Sequence, residues 1–179
     1  VPDSIRTDRL FLRPLRVSDV ALDYDAVMSD PAALRRWSQT SWPADDFTLE
    51  ENRGDLERHE REHREGVAFT FTVLSPDAAR CLGCVYLQPV RPEMLPHVPP
   101  SPWPARVAFW VRASEVASDL DRHLLMTLRD WLAADWGFDR VLFVIARDDV
   151  RQAAIMIGAG LARRAEVTLE DGRRCAIYF

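Results

Sequence analysis

The segments RVAFWVR (106–112), ASEVAS (113–118), DLDRHLLMTLRDWLAADW (119–136) and RVLFVI (140–145) decide the fold. In the first, Val107, Phe109 and Val111 alternate with Ala108 and Trp110, which predicts a strand over Arg106–Arg112. Residues 113–118 read as a turn. Leu120, Leu124, Leu125, Leu128, Trp131 and Leu132 then repeat at the spacing of one buried helical stripe, so a helix is expected from Asp119 to Trp136. Gly137 suits a left-handed cap after it. The run Val141 to Ile145 is continuously apolar, the signature of a parallel strand covered on both faces. A further helix, capped by Asp148 or Asp149, runs to about Ile157. Strand, helix, strand, helix in this order predicts two parallel strands joined by a crossover helix, with helix N–H groups aimed at whatever binds at the first turn.

Working outward, Arg9–Leu15 reads as a strand, Ser18 as the N-cap of a helix over Val20–Met28, and Asp30-Pro31 as the start of another. Trp37 and Ser41-Trp42-Pro43 form an aromatic loop that either lines a pocket or closes the core. Thr48-Leu49-Glu50-Glu51 is a capping-box pattern opening a helix to about Glu65, whose charged sequence reads as a solvated surface. Ala68–Leu74 and Arg80–Gln88 form strands about a Ser75-Pro76-Asp77 turn, and Leu161–Leu169 with Arg174–Phe179 make a final hairpin about Asp171-Gly172. Between Pro89 and Pro104, seven of the twelve prolines predict a stiff, structureless insertion loop that serves as a lid or subunit contact.

With 179 residues, one domain over 1–179 is expected, soluble and cytoplasmic, with no membrane segment. A net charge of −5 argues against nucleic acid as a partner. All 23 basic residues are arginine. Two motifs invite metal or redox chemistry. Cys81-Leu82-Gly83-Cys84 falls in a strand, where residues three apart face opposite sides, and not at the helix N-terminus that activates a thiol. His59-Glu60-Arg61-Glu62-His63 has the spacing of a zinc-peptidase helix, but Arg58, Arg61 and Arg64 surround the imidazoles with cations and no third ligand is nominated. No metal site is expected.

The order of elements resembles the GNAT fold of acetyl-CoA-dependent N-acetyltransferases over nearly the whole chain. Ile5-Arg6-Thr7-Asp8-Arg9-Leu10-Phe11-Leu12-Arg13-Pro14-Leu15 with Ser18-Asp19 is similar to the opening of the branch that includes the RimJ/RimL ribosomal-protein acetyltransferases. Phe109-Trp110-Val111 resembles the strand before that family's cofactor loop, and Gly160-Leu161 its Gly-Phe after the last helix. The resemblance implies an α/β (α+β) domain, a mixed sheet of about seven strands with a splayed parallel pair and about four helices. It also implies acetyl transfer from acetyl-CoA to an amine, a protein N-terminus or a small molecule.

On that basis Trp110, Val111, Arg112, Ala117, Ser118, Asp119, Asp149 and Gln152 are the candidate cofactor-binding residues. Trp37, Trp42, Tyr86 and Arg106 are the candidate substrate pocket. No catalytic residue is nominated. The family's loop pattern, Arg-Gly-x-Gly-x-Ala, falls on Val116-Ala117-Ser118-Asp119-Leu120-Asp121 and so has no glycine. Ser118 with Asp121 reads as a self-capped helix start, with two carboxylates where a pyrophosphate would lie. Arg106 stands at a position where many relatives carry glutamate. Asp149-Val150-Arg151-Gln152 replaces the family's Asn-x-x-Ser, and Met156 its tyrosine. A second reading therefore stands beside the first: a GNAT-fold protein without acetyl-CoA binding, acting as a binding, regulatory or assembly module. An exposed final strand would invite homodimer pairing.

Overall fold

A computed structural model describes residues 2–98, 100, 104–138 and 140–179. Its strands are β1 (Ile5–Arg6), β2 (Phe11–Pro14), β3 (Phe69–Leu74), β4 (Cys81–Pro89), β5 (Pro104–Val111), β6 (Arg140–Ala146), β7 (Arg163–Thr168) and β8 (Arg174–Tyr178). The helices are α1 (Val20–Val27), α2 (Pro31–Ser38), α3 (Leu49–Glu65), a single turn α4 (Ala113–Val116), α5 (Leu120–Asp135) and α6 (Val150–Gly158). All eight strands form one sheet in the order β1-β2-β3-β4-β5-β6-β8-β7, antiparallel except for the β5–β6 pair. This is the mixed sheet with one parallel pair that the resemblance implies, with β1 as the extra strand and α4 where only a turn is expected.

The parallel pair carries the architecture. β5 and β6 are in register from Pro104↔Arg140 to Val107↔Phe143, and no pairing continues although β5 runs on to Val111. The crossover helix α5 buries Leu120, Leu124, Leu125, Leu128, Trp131 and Leu132 against this part of the sheet, the stripe its sequence predicts. Phe71, Trp131 and Trp136 extend that core in edge-to-face contacts at 5.3–5.8 Å.

Several expectations are corrected. The final strand β8 is not exposed; it lies between β6 and β7, and β7 forms the edge. Arg163, Arg164 and Glu166 charge that edge, which discourages strand pairing there. Ser18 does not cap α1. It lies in a 3-10 turn (Val17–Asp19), and Asp19 instead accepts the Arg16 N–H and a two-pronged ion pair from Arg13 at 2.7 Å. The proline-rich insertion is not structureless: Pro92–His97 winds into a 3-10 helix that buries Met94 completely among Leu142, Val144, Val167, Leu169 and Ile177. Pro99, Pro102 and Trp103 lie outside the described residues.

Helix α3 is not wholly solvated. Asn52, Leu56, His59 and His63 form its inner stripe, and both imidazoles pack on aromatic rings of the sheet. The phase of β4 also differs from simple alternation. Val73 pairs with Gly83 and Leu74 with Cys81, so Leu82 is the extra residue of a bulge. That bulge brings Cys81 and Cys84 into the same buried cluster. Burial pushes the Cys81 thiol up to about 12 and raises Cys84 as well, leaving both as unreactive packing groups.

Gly83 itself is fixed by sterics. A Cβ there would lie 2.1 Å from the Trp110 carbonyl oxygen, which is backbone and cannot rotate away. Gly83→Ala is expected to destabilise the fold by about 1–3 kcal/mol. Gly54→Ala, on α3 with nothing within 4 Å of the added Cβ, should be neutral or stabilising. Denaturant melts of the two variants check the contrast; equal midpoints would refute the close approach.

Candidate active site

Beyond Val107 and Phe143, β5 and β6 part, and the unpaired length of β5 faces a gap. Strand alternation decides which backbone groups look into it. The Arg112 N–H donates to the Leu82 carbonyl at 2.8 Å, and the Trp110 carbonyl points at Gly83, so these two residues spend their backbone groups on β4. Phe109 and Val111 therefore face the gap. Gln152, from α6, reaches across and donates its Nε2 hydrogen to the Phe109 carbonyl at 2.9 Å. Its Oε1 is buried and has no hydrogen-bond partner among the described residues.

A cavity of about 810 Å³ opens on this side, walled by α2, the end of β5, α4 and the start of α6; its lining includes Trp110, Val111, Val116, Asp121, Asp149 and Gln152. A second cavity, of about 380 Å³, opens beside the first, along β4, β5 and β6. Its lining holds Trp37, Trp42, Tyr86 and Arg106, all four residues nominated from sequence, together with Asp55, His59, Arg91 and Arg173. Trp37, Gln39 and Ala146 line both cavities, so the two meet there.

The remaining nominated residues are distributed differently. The Arg112 side chain turns away from the larger cavity: its guanidinium is bonded to Asp25 and to the Cys81 carbonyl, and it is buried. It is therefore a structural cation and not a free anion ligand. Ala117, Ser118 and Asp119 are exposed beyond the cavity rim. Asp149 caps α6, accepting the Gln152 N–H at 2.8 Å.

The turn before α5 is also built differently from the self-capped start that its sequence suggests. Ser118 does not cap; its hydroxyl donates to the Glu115 carbonyl at 2.8 Å. Asp119 occupies the cap position in the left-handed conformation, φ 57°, with no side-chain capping bond. It stands at the second glycine of that loop pattern and holds a left-handed conformation that glycine adopts without strain. Asp121 and Asp119 both turn to Arg151, at 2.9 and 2.7 Å. That contact holds the Asp119 carboxyl below the usual carboxylate range and raises Arg151. Sequence reasoning missed Arg151 because its partners lie thirty residues away on another helix. The amides of the turn are engaged too: Glu115, Ser118 and Asp119 N–H groups donate to the carbonyls of Arg112, Glu115 and Val116.

In the smaller cavity the ring of Trp37 stacks on Tyr86, with centroids 5.7 Å apart. Burial keeps the Tyr86 phenol raised well above its ordinary value, and its oxygen accepts the Trp110 indole N–H at 3.3 Å. His59, its Nδ1 3.1 Å from the Thr70 hydroxyl, is depressed by burial and next by Arg58, which favours the neutral ring at pH 7. His63 is separately enclosed by Phe69 and Phe71, so the two imidazoles of the zinc-like spacing do not converge. Among the described residues no group of His, Cys, Asp or Glu has the arrangement of a metal site. The spacing 52, 56, 59, 63 was the available signal that His59 faces inward.

Comparison with known proteins agrees with this architecture. The family model described as Acetyltransferase (GNAT) domain matches residues 9–162. The ribosomal-protein-S5-alanine acetyltransferase of Vibrio fischeri superposes with a TM-score of 0.75 at 15% identity, over 99% of this chain and 95% of that one. Mycobacterium smegmatis RimJ, solved with CoA-disulfide, gives 0.78 at 18% identity, over 99% and 86%. A RimL ribosomal L7/L12 alpha-N-protein acetyltransferase in complex with coenzyme A gives 0.78 at 16%, over 98% and 96%. No curated protein matches the sequence. With the split parallel pair, the two adjoining cavities and a family match over most of its length, the chain belongs to the GNAT acetyltransferase family.

Proposed function

We propose that this chain transfers an acetyl group from acetyl-CoA to a primary amine, with the larger cavity as the donor side and the smaller as the acceptor side. The observation that carries the reading is Gln152, more than nine-tenths buried in the β5–β6 gap, with an Oε1 that has no partner among the described residues. A buried acceptor without a donor costs about 1–3 kcal/mol, and an amide N–H of a pantetheine arm would satisfy it. The Val111 backbone offers strand-type bonds to the same arm. Arg36 lines the larger cavity and Arg9 reaches the Ser118 carbonyl at 2.6 Å, so these two cations would serve a diphosphate in place of the loop amides. Bound acetyl-CoA supplies a thioester whose C–S bond breaks as the amine forms its N–C bond, releasing one proton from nitrogen and leaving a thiol. Neutral His59 is the proton acceptor available on the acceptor side. Among the similar structures are acetyltransferases named for the alanine of ribosomal protein S5 and the N-terminal serine of L7/L12, which supports a protein N-terminus among the acceptors.

A second reading, a GNAT-fold binding module without acetyl-CoA, is favoured by the engaged amides and the two carboxylates of the turn. Calorimetry and thermal melting with acetyl-CoA separate the two. Binding should stabilise the fold by about 2.7 kcal/mol at a hundredfold excess over Kd, and Gln152→Ala should weaken it about tenfold. A melt unmoved at millimolar acetyl-CoA would leave only the second reading.

A further inference from the structure

The acceptor-side cavity has a charge pattern that the transfer reaction does not require. In a chain of net charge −5, its lining contains Arg58, Arg91, Arg106 and Arg173 but only one carboxylate, Asp55. Arg58 is already answered by Asp55 at 3.0 Å and Glu62 at 3.7 Å. Arg91 and Arg173 share a single carboxylate, Asp171, at 3.0 and 2.7 Å. Arg106 has none among the described residues. Its Nε donates to the Pro89 carbonyl at 3.0 Å and its Nη2 to the Gln88 side-chain oxygen, both neutral, while its Nη1 makes no bond to a described residue. Three arginines thus face one carboxylate on this wall, and the most enclosed of them is the one without an ionic partner. Burial, then the nearby Arg91 and Arg173, depresses Arg106 to about 10.

A cation held in this way is costly unless an anion comes to it. The docked 3-10 helix Pro92–His97 keeps Arg91 in place from one side, and Asp171 ties Arg91 to Arg173, so the wall is assembled before anything binds. On α3, Asp55 and His59 line the same space beside Arg58, whose charge Asp55 and Glu62 answer. The cavity therefore has a cationic end and an end suited to an amine. Its volume of about 380 Å³ suits a small molecule or the first residue or two of a chain.

Resting on the acetyltransferase reading of this cavity, we propose that the acceptor is a primary amine that also carries an oxyanion, carboxylate or phosphate, held by Arg106 with Arg91 and Arg173. Three amines of similar length test it: ethanolamine, β-alanine and O-phosphoethanolamine. Acetylation is followed by thiol release, and binding by calorimetry without acetyl-CoA. At low salt at least one anionic amine should exceed ethanolamine by about tenfold in kcat/KM, with the advantage falling as salt is raised. The better of the two identifies which oxyanion the site takes. In Arg106→Gln, which keeps a neutral hydrogen-bonding side chain, the ratio of anionic to neutral amine should collapse toward one, and Arg173→Gln should reduce it if the first variant does not fold. Calorimetry reads the same subsite if no amine is acetylated: anionic amines bound by the natural chain and lost in Arg106→Gln would uphold the anion site while the transfer reading fails. Equal handling of all three amines, no binding of either anion, or a preference that survives in both variants would overturn the proposal.

Discussion

Asp119→Gly combined with Asp121→Asn is expected to tighten acetyl-CoA binding by about 10- to 100-fold at low salt. In the natural chain both carboxylates sit at the opening of α5 and are answered by one guanidinium, Arg151. The cluster therefore has net charge −1, one cation less two acids, where a diphosphate would have to lie. The double substitution turns the same three side chains to net +1 and frees the Nε and Nη2 donors of Arg151. It does so with little structural loss. Glycine is at ease at the left-handed φ of 57° that Asp119 now adopts. Asparagine at 121 can still accept the Arg122 N–H that Asp121 Oδ1 holds at 2.9 Å. The gain should shrink steeply as salt rises, because the new attraction is largely exposed to solvent. Titration of natural and variant protein at two salt concentrations checks it; a variant that melts normally but binds no more tightly would show that engaged amides, not carboxylates, limit this turn.

That example also shows where sequence is informative and where it is not. The stripe of α5 and the apolar run of β6 follow from local periodicity, and local periodicity is what a single sequence displays. The two acids at the start of α5 were equally visible, but their partner was not. Ion pairs across thirty residues leave no pattern in the chain, so a nearby serine looked like the cap and Arg151 went unseen. Arg112 fails for the same reason. Its place beside the expected cofactor loop is legible, whereas the contact with Asp25 that removes it is not. The bulge at Leu82 is subtler still: one extra residue reverses the facing of everything before it, and only the pairing with Val73 and Leu74 reveals it. By contrast Trp37, Trp42, Tyr86 and Arg106, drawn from three separate segments, do line one cavity, because the strand and loop order that brings them together was readable.

The largest stability change is expected from Asp23→Asn, a gain of about 3 kcal/mol at pH 7.5. Asp23 lies on the inner face of α1, 5% exposed, and accepts the Asn52 side-chain N–H at 2.9 Å. Burial raises its carboxyl from 3.8 to about 6, with Asn52 opposing and Asp19 and Asp55 adding to the rise. The folded state thus holds this proton more tightly than the unfolded chain does. Its contribution to stability is complete below about pH 3.8 and is lost as pH rises through about 6, after which the deficit is constant. Asparagine has no charge to bury, and with its amide turned its oxygen still accepts from Asn52. The variant should therefore gain about 1 kcal/mol at pH 4.5 and about 3 kcal/mol at pH 7.5. Denaturant unfolding at the two pH values measures both. A gain that is the same at each pH, or a loss at pH 7.5, would mean that the Asp23 carboxylate is better solvated in the folded chain than its burial implies, or that Asn52 depends on its charge.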